Sequence, residues 1–391
     1  MRFIFFTLVF LFLFTACKAR NSNIENTAEK EEETIVPIDP IRLLAEEIAS
    51  SMDNSLLAAQ VFICGIDGQG SLAPHMAALL EKYPAGGVML FRYNLNTDND
   101  SIRNLLSQTS SLIEQKSGIT PFIAVDHEGG TVNRFTGGVA SLPEARHYWE
   151  LSQTEGKQAS LEKIENDSFT AGQVIFDLRI NMNFAPVAEH LTDENFTFLH
   201  SRSYGRDPLF TAEAAGAFLR GMEKAGILCV VKHFPGSAGP DPHYSPSVLD
   251  MDKPSLDSLV YPFAYLIGKG ARAIMAAHSG VPALDEKIAS LSQAVMEKWL
   301  REEMGFNGII ISDDFTMASA GGMLPEEAAV HSVISGADMI LVWPKDLSRT
   351  HEFFLKSLEN GLLSRERLIN AAQRIIYEKI RMNLISERKN G

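Results

Sequence analysis

The sequence predicts an α/β protein with a single catalytic domain, a (β/α)8 barrel of the TIM type. Short apolar runs recur eight times along the chain, each is continuous rather than alternating, and helical segments lie between them. A continuous apolar run is typical of a parallel strand that is covered on both faces. Eight such strands alternating with helices fit a barrel. The runs span residues 58–66, 85–91, 121–126, 181–187, 227–231, 271–278, 308–313 and 338–343.

The segment between the fourth and fifth runs illustrates the helical signals. Asp207 offers an N-cap and Pro208 a first helical position, apolar residues then follow at helical spacing, and Gly226 fits the position after the helix. An open doubly wound sheet is the alternative to the barrel. It is weakened because no GxGxxG follows the first strand and the chain contains no Walker A sequence.

The first 40 residues are predicted to lie outside the barrel. Residues 1–17 combine Arg2, an apolar run and small residues before Cys17, as a secretory signal does. The tetrapeptide at 14–17, FTAC, resembles a bacterial lipobox, which implies cleavage before Cys17 and lipidation of its thiol. A membrane anchor helix is the alternative, although the run is short for a span of about 20 residues. Residues 18–40 are polar and are predicted to form a flexible tether. Residues 41–391 are predicted to form the barrel domain.

Composition excludes some partners. The 391 residues are 45% hydrophobic, enough for a sizeable core, and carry a net charge of −14. Nucleic acids and anionic membrane surfaces favour a basic face, so neither is expected as a partner. Cys64 and Cys229 lie in apolar runs on opposite sides of the predicted barrel, too far apart for a disulfide. We expect a monomer that a lipid on Cys17 holds at the periplasmic face or the cell surface.

Polar and charged residues gather where the predicted strands end. The carboxyl ends of barrel strands meet at one face, and active sites lie there. A core does not need charges at strand ends, and each is costly when it is buried without a partner. The sequence therefore predicts a site at that face from Asp126, Arg134, Arg202, Lys232, His233, His278, Asp313 and Asp314.

Several of these residues also have structural interpretations. Either Asp313 or Asp314 can cap the segment that follows, which leaves the other free for chemistry. Arg134 and Arg202 can be surface ion-pair partners, and His278 is left as structural.

The loop after the fifth strand contains Asp241, Pro242 and His243. A carboxylate two residues from an imidazole can hold the ring and fix its tautomer. The surrounding glycines and prolines make an irregular loop that can project the pair over the barrel mouth. A turn in which Asp241 bonds its own backbone is the alternative.

Together these segments resemble glycoside hydrolase family 3, in its single-domain β-N-acetylhexosaminidase branch. The similarity runs from residue 55 to residue 345, with the motifs in family order, and it implies a TIM-type barrel. The motifs are GGVMLFRYN, VDHEGGTVNRF, NFAPV, RSYGRDP, KHFPG, the D-x-H pair and IISDDFTM.

The resemblance implies a role for each candidate residue. Asp313 would be the nucleophile that forms a glycosyl-enzyme intermediate. His243 would be the general acid and then the general base, oriented by Asp241. The sugar in the −1 subsite would be bound by Asp126, Arg134, Arg202, Lys232 and His233.

The expected activity is that of a retaining exo-β-N-acetylglucosaminidase acting on peptidoglycan fragments or chito-oligosaccharides, without a metal or organic cofactor. A β-glucosidase or a phosphorylase of the family is an alternative, since an imidazole repels phosphate less than a carboxylate does. A catalytically decayed sugar-binding lipoprotein is another. It is suggested by a loop about two residues shorter than in the family, in which Ser237 replaces a histidine and Pro242 stiffens the pair. Glu189 stands where the family has an aspartate.

Overall fold

The computed structural model describes residues 39–135, 140–317, 320 and 322–385. The predicted signal at 1–17, with Cys17, and all but the last two residues of the predicted tether lie outside the described residues. Within the described part of the chain, no helix is both long and apolar enough to cross a membrane.

Eight parallel strands form the predicted barrel. Each pairs with the next strand along the chain, and the eighth also pairs with the first, where Phe62 lies opposite Ile340. A bridge between Ile311 and Met339 joins the seventh and eighth strands and closes the ring. The (β/α)8 prediction is therefore confirmed. The strands are β1 Phe62–Gly65, β2 Gly87–Leu90, β3 Phe122–Val125, β4 Met182–Asn183, β5 Leu228–Phe234, β6 Ala273–Ala276, β7 Ile309–Ser312 and β8 Ile340–Val342.

Helices surround the strands. One side-chain bond defines the start of the helix before β5, since Asp207 accepts from the backbone N–H of Leu209 at 2.9 Å. The α-helices are Pro40–Ser51, Asn54–Gln60, Pro74–Lys82, Arg92–Leu95, Asn99–Ser117, Ala145–Thr154, Lys157–Asp177, Phe196–Leu199, Pro208–Lys224, Lys253–Leu259, Tyr261–Gly268, Pro325–Ile334, Pro344–Glu359 and Arg365–Arg381. Short 3-10 helices cover His200–Arg202 and Ala289–Leu291, and a π-helix covers Ala294–Glu303.

In three places a strand boundary differs from the end of its apolar run by more than two residues. The first run begins inside the helix Asn54–Gln60, because a buried helix and a buried strand can both be continuously apolar. The fourth run contains only a two-residue strand. The fifth strand continues through Phe234, so Lys232 and His233 belong to it. A small second sheet of Ser247–Val248, Ser279–Val281 and Asp285–Ile288 lies in the segments that follow β5 and β6.

A buried carboxylate joins the outer helices to the strands. Asp338 accepts from Arg301 at 2.6 Å, from Arg374 at 3.1 Å and from the backbone N–H of Ile310 at 2.9 Å. Burial raises the pKa of Asp338, but the arginine charges outweigh it and hold the pKa below its usual range. The cluster ties the π-helix and the last helix to the strands β7 and β8. The two cysteines, Cys64 and Cys229, are free and buried, as predicted.

Candidate active site

A cavity of about 290 Å³ opens at the carboxyl ends of the strands. Strand-end residues from around the whole barrel line it, because parallel strands bring all these ends to one face. Asp241, the remaining predicted site residue, does not line the cavity but holds His243, which does. The predicted residues among the lining are Asp126, Arg134, Arg202, Lys232, His233, His243, His278, Asp313 and Asp314.

A network of charges forms the wall of the cavity near β3 and β5. Lys232 Nζ lies 2.7 Å from Asp126 Oδ1 and 2.7 Å from Glu128 Oε1. Glu128 also accepts two bonds from Arg202, from Nε and from a terminal nitrogen, both at 2.9 Å. Arg134 donates to Asp126 at 3.2 Å. Every charge in the network therefore has an opposite partner, as burial requires.

The network keeps these groups ionised. Burial raises the pKa of Asp126, but Lys232 and Arg134 outweigh it and lower that pKa. Burial lowers the pKa of Lys232, but Asp126 and Glu128 outweigh it and raise that pKa. The pKa of Glu128 also falls well below its usual range, because Arg202 and Lys232 overcome its burial. The wall thus offers both fixed donors and fixed acceptors to a polyhydroxylated ligand.

Glu189 holds the second histidine of the site. Its Oε1 accepts from His233 Nδ1 at 2.6 Å and from the His233 backbone N–H at 3.2 Å. Its Oε2 accepts from the backbone N–H of Ser237 at 2.7 Å and from its hydroxyl at 2.6 Å. Burial raises the pKa of Glu189, but these bonds outweigh it and lower the pKa. One carboxylate therefore fixes the His233 ring and the start of the loop that follows.

The predicted contact between Asp241 and His243 is formed. His243 Nδ1 lies 2.6 Å from Asp241 Oδ1, and the same oxygen accepts from the His243 backbone N–H at 2.9 Å. The turn and the side-chain pair therefore coexist, where the sequence left them as alternatives. Burial raises the pKa of Asp241, but its bonds to His243 outweigh it and lower the pKa. His243 remains 58% exposed at the cavity mouth.

The two neighbouring aspartates after β7 differ in their partners. Asp314 accepts from the backbone N–H and hydroxyl of Thr316, each at 2.8 Å, and from Trp343 Nε1 at 2.8 Å. Asp313 accepts from the Asp314 backbone N–H at 2.8 Å and lines the cavity. Both aspartates line the cavity, but Asp314 is held by the turn and by Trp343, whereas Asp313 accepts a single side-chain hydrogen bond among the described residues.

Sequence reasoning missed three contributors to the site. Glu128 lies in one of the family motifs but has no role in the sequence prediction, and Glu189 enters that prediction only as a departure from a motif. Trp343 was not considered, although it follows β8 directly and its ring stacks on Phe91 with centroids 5.0 Å apart. A position just past a strand end was the available signal for Trp343 and Glu128. Among the described residues, no group of three or more acidic, histidine or cysteine side chains is placed to hold a metal ion.

Comparisons with known proteins agree on one family. The model of the glycosyl hydrolase family 3 N-terminal domain matches residues 56–377. A β-hexosaminidase from Neisseria gonorrhoeae (strain NCCP11945) is 35% identical over 267 residues, which are 66% of this chain and 71% of that protein. A β-hexosaminidase from Methylococcus capsulatus is 34% identical over 288 residues, covering 72% of this chain and 81% of that protein.

Solved structures show the same barrel. A family 3 β-N-acetylglucosaminidase from Paenibacillus sp. str. FPU-7 is 26% identical with a TM-score of 0.79, over 87% of this chain and 65% of that chain. NagZ from Neisseria gonorrhoeae in complex with N-trifluoroacetyl-D-glucosamine is 26% identical with a TM-score of 0.67, over 83% of this chain and 98% of that one. The predicted family is confirmed: this chain belongs to glycosyl hydrolase family 3 and is a glycoside hydrolase related to the β-N-acetylhexosaminidases.

Proposed function

We propose that this protein is a retaining, exo-acting β-N-acetylglucosaminidase with Asp313 as nucleophile and His243 as acid/base. The observation that carries the proposal is that both side chains line one cavity. The residues of the charged network line the same cavity. Glycoside cleavage requires a proton for the leaving oxygen and a carboxylate for the oxocarbenium-like centre. The two residues provide one of each.

In the first step, Asp313 attacks the anomeric carbon and the bond to the leaving oxygen breaks. A protonated His243 gives its Nε2 proton to that oxygen, so that the aglycone leaves as an alcohol. Asp241 holds Nδ1 at 2.6 Å, which leaves Nε2 as the nitrogen that exchanges the proton. The product of this step is a glycosyl ester of Asp313.

In the second step, water attacks the anomeric carbon on the face from which the aglycone left. His243 Nε2 takes the proton from that water, and Asp313 leaves as a carboxylate. Two displacements at one carbon retain its configuration. Imidazole is the side-chain group best suited to exchange protons near neutral pH, so one ring can serve as acid in the first step and as base in the second.

The cavity favours a single terminal sugar. Its volume of about 290 Å³ lies at the lower end of the range for small-molecule sites. Asp126, Lys232 and Arg134 present acceptors and donors that suit the hydroxyl groups of one ring. The related NagZ that binds N-trifluoroacetyl-D-glucosamine supports an N-acylated glucosamine as that ring. Chito-oligosaccharides and peptidoglycan fragments carry such an end.

The test is release of 4-nitrophenol from its N-acetyl-β-D-glucosaminide by the full-length protein in detergent. Asp313→Asn and Asp314→Asn form a matched pair, since each neutralises one carboxylate of the same turn. We expect Asp313→Asn to abolish turnover and Asp314→Asn to retain much of it. His243→Ala should lose about 10²–10⁴-fold, the usual contribution of general acid–base catalysis. An inactive wild type that still binds N-acetylglucosamine would contradict the proposal and favour a decayed scaffold.

We also propose that Cys17 carries a lipid that holds the enzyme on the outer side of a membrane. The proposal is supported by the signal-like run before Cys17 and by the polar residues 18–40. Such a tether would leave the barrel free to reach glycans near the membrane.

A further inference from the structure

His278 is a buried histidine beside the proposed nucleophile with no role in the steps above. It follows β6 by two residues, is 2% exposed and lines the cavity together with Asp313. Its Nδ1 lies 2.7 Å from Ser290 Oγ, and its ring stacks on Phe315 with centroids 4.8 Å apart. Two contacts therefore fix the ring in one orientation.

The other ring nitrogen of His278, Nε2, is unpaired among the described residues. This atom is also buried. Buried polar atoms in folded proteins are nearly always hydrogen-bonded, since an unmade bond costs free energy. Because the residue lines a cavity, a ligand in that cavity can supply the missing partner.

The surroundings of His278 favour an uncharged ring. Burial lowers the pKa of His278 and is the dominant cause; the charge of His233 acts in the same direction, while the charge of Asp313, the backbone of Asp314 and the charge of Asp314 oppose it. A neutral imidazole has one donor and one acceptor nitrogen. Ser290 Oγ can donate to Nδ1, which leaves the proton on Nε2, directed away from Ser290.

The chemistry of the cavity differs between its two sides. The charged network lies at the ends of β3 and β5 and suits hydroxyl groups. Near His278 the lining combines the carboxylate of Asp313 with apolar side chains, namely Met275 on β6, Ala277 just after it and Met317 after β7. A neutral donor among apolar side chains suits a carbonyl that carries a methyl group, which is the acetamido group at C2 of the sugar. C2 adjoins the carbon that Asp313 would attack.

We propose that His278 binds the C2 acetamido group through Nε2 and thereby selects N-acetylated sugars. The inference rests on the proposed function, since it uses Asp313 to place C1. It makes His278 a substrate-binding residue, where the sequence left it as structural.

The test compares two substrates, the 4-nitrophenyl β-D-glycosides of N-acetylglucosamine and of glucose, with the full-length protein in detergent. His278→Phe retains the ring and its stacking but lacks Nε2. We expect its kcat/KM to fall about 10–100-fold on the acetamido substrate, the usual cost of a lost buried bond. The rate on the glucoside should change less than about three-fold. His278→Gln, whose amide nitrogen can lie near the Nε2 position, should recover part of the loss.

Two further measurements keep the result decisive. If glucoside turnover is too slow to measure, inhibition by free N-acetylglucosamine and by free glucose gives the same comparison. If His278→Phe unfolds because Ser290 loses its partner, the double variant with Ser290→Ala removes that unpaired hydroxyl. Equal losses on both sugars, or no loss on either, would overturn the inference. An inactive wild type would instead contradict the proposed function.

Discussion

Glu189 gives the sharpest test of how the site is held together. It is buried and accepts four hydrogen bonds, two from His233 and two from Ser237. Glu189→Gln preserves the shape of the side chain but replaces one accepting oxygen with an amide group that only donates. That group must then face two of the four donors.

The magnitude follows from the bonds that the amide cannot make. If the amide nitrogen faces Ser237, the backbone N–H there loses its partner, although the hydroxyl can rotate and accept. If it faces His233, the ring must carry its proton on Nε2 instead of Nδ1. Nε2 then donates a hydrogen bond to a ligand where it would otherwise accept one. One or two lost bonds to a charged acceptor cost about 1.5–3 kcal/mol each. We therefore expect a loss of about 2–4 kcal/mol in unfolding free energy and about a 10–100-fold loss in kcat/KM.

The assay combines thermal unfolding with kcat/KM on 4-nitrophenyl N-acetyl-β-D-glucosaminide. Ser237→Ala is the matched control, because it removes only one hydroxyl bond and leaves the contacts of His233 in place. It should lose about 1.5–3 kcal/mol of stability, the cost of one such bond, and much less activity than Glu189→Gln. The reasoning fails if Glu189→Gln matches the wild type in kcat/KM, or if Ser237→Ala lowers kcat/KM by as much.

Three further predictions concern the rest of the chain. Burial lowers the pKa of Lys379 to about 7, so the unfolded chain binds a proton that the native state lacks between pH 7 and the usual lysine pKa. Native stability should rise across that window, and Lys379→Met should flatten the slope in pH-dependent urea unfolding; an unchanged slope would exclude this lysine as its source. Asp338→Asn should lower unfolding free energy by about 3–5 kcal/mol, since among the described residues it leaves Arg367 and Arg374 without a carboxylate partner; a shift below 1 kcal/mol, roughly that of a surface pair, would contradict it. Bacterial cells fed an alkyne-labelled fatty acid should label the wild type but not Cys17→Ser, and equal labelling would refute the anchor.

The parts of the fold that sequence predicted are those with local signals. Asp207 and Gly226 predicted the two ends of the helix Pro208–Lys224. The cap at the start of a helix and the turn after its end depend on neighbouring residues, so the sequence shows both. The strands were found from their apolar runs, but the first run began in a helix, since burial on all sides hides the difference in period. Strand boundaries depend on pairing with residues elsewhere in the barrel, and a local sequence pattern does not contain that information.

The site was predictable as a set of residues but not as a set of contacts. The different surroundings of Asp313 and Asp314 depend on Trp343, which lies 29 residues beyond Asp314 and donates a hydrogen bond to it. Glu189 meets His233 across 44 residues. Two positions that looked like local departures, Glu189 and Ser237, prove to bond each other. Such pairings arise only when the barrel closes and brings the strand ends together.

The most direct test of the account is to identify the residue that becomes glycosylated. His243→Ala lacks the base of the second step, so an activated substrate such as the 2,4-dinitrophenyl N-acetylglucosaminide should accumulate the intermediate. Acid quenching, proteolysis and mass spectrometry then locate the added sugar. The account predicts one N-acetylglucosaminyl group on Asp313 and none in the Asp313→Asn, His243→Ala double variant. A sugar on another residue, or turnover of the activated substrate by that double variant at the rate of His243→Ala alone, would contradict it.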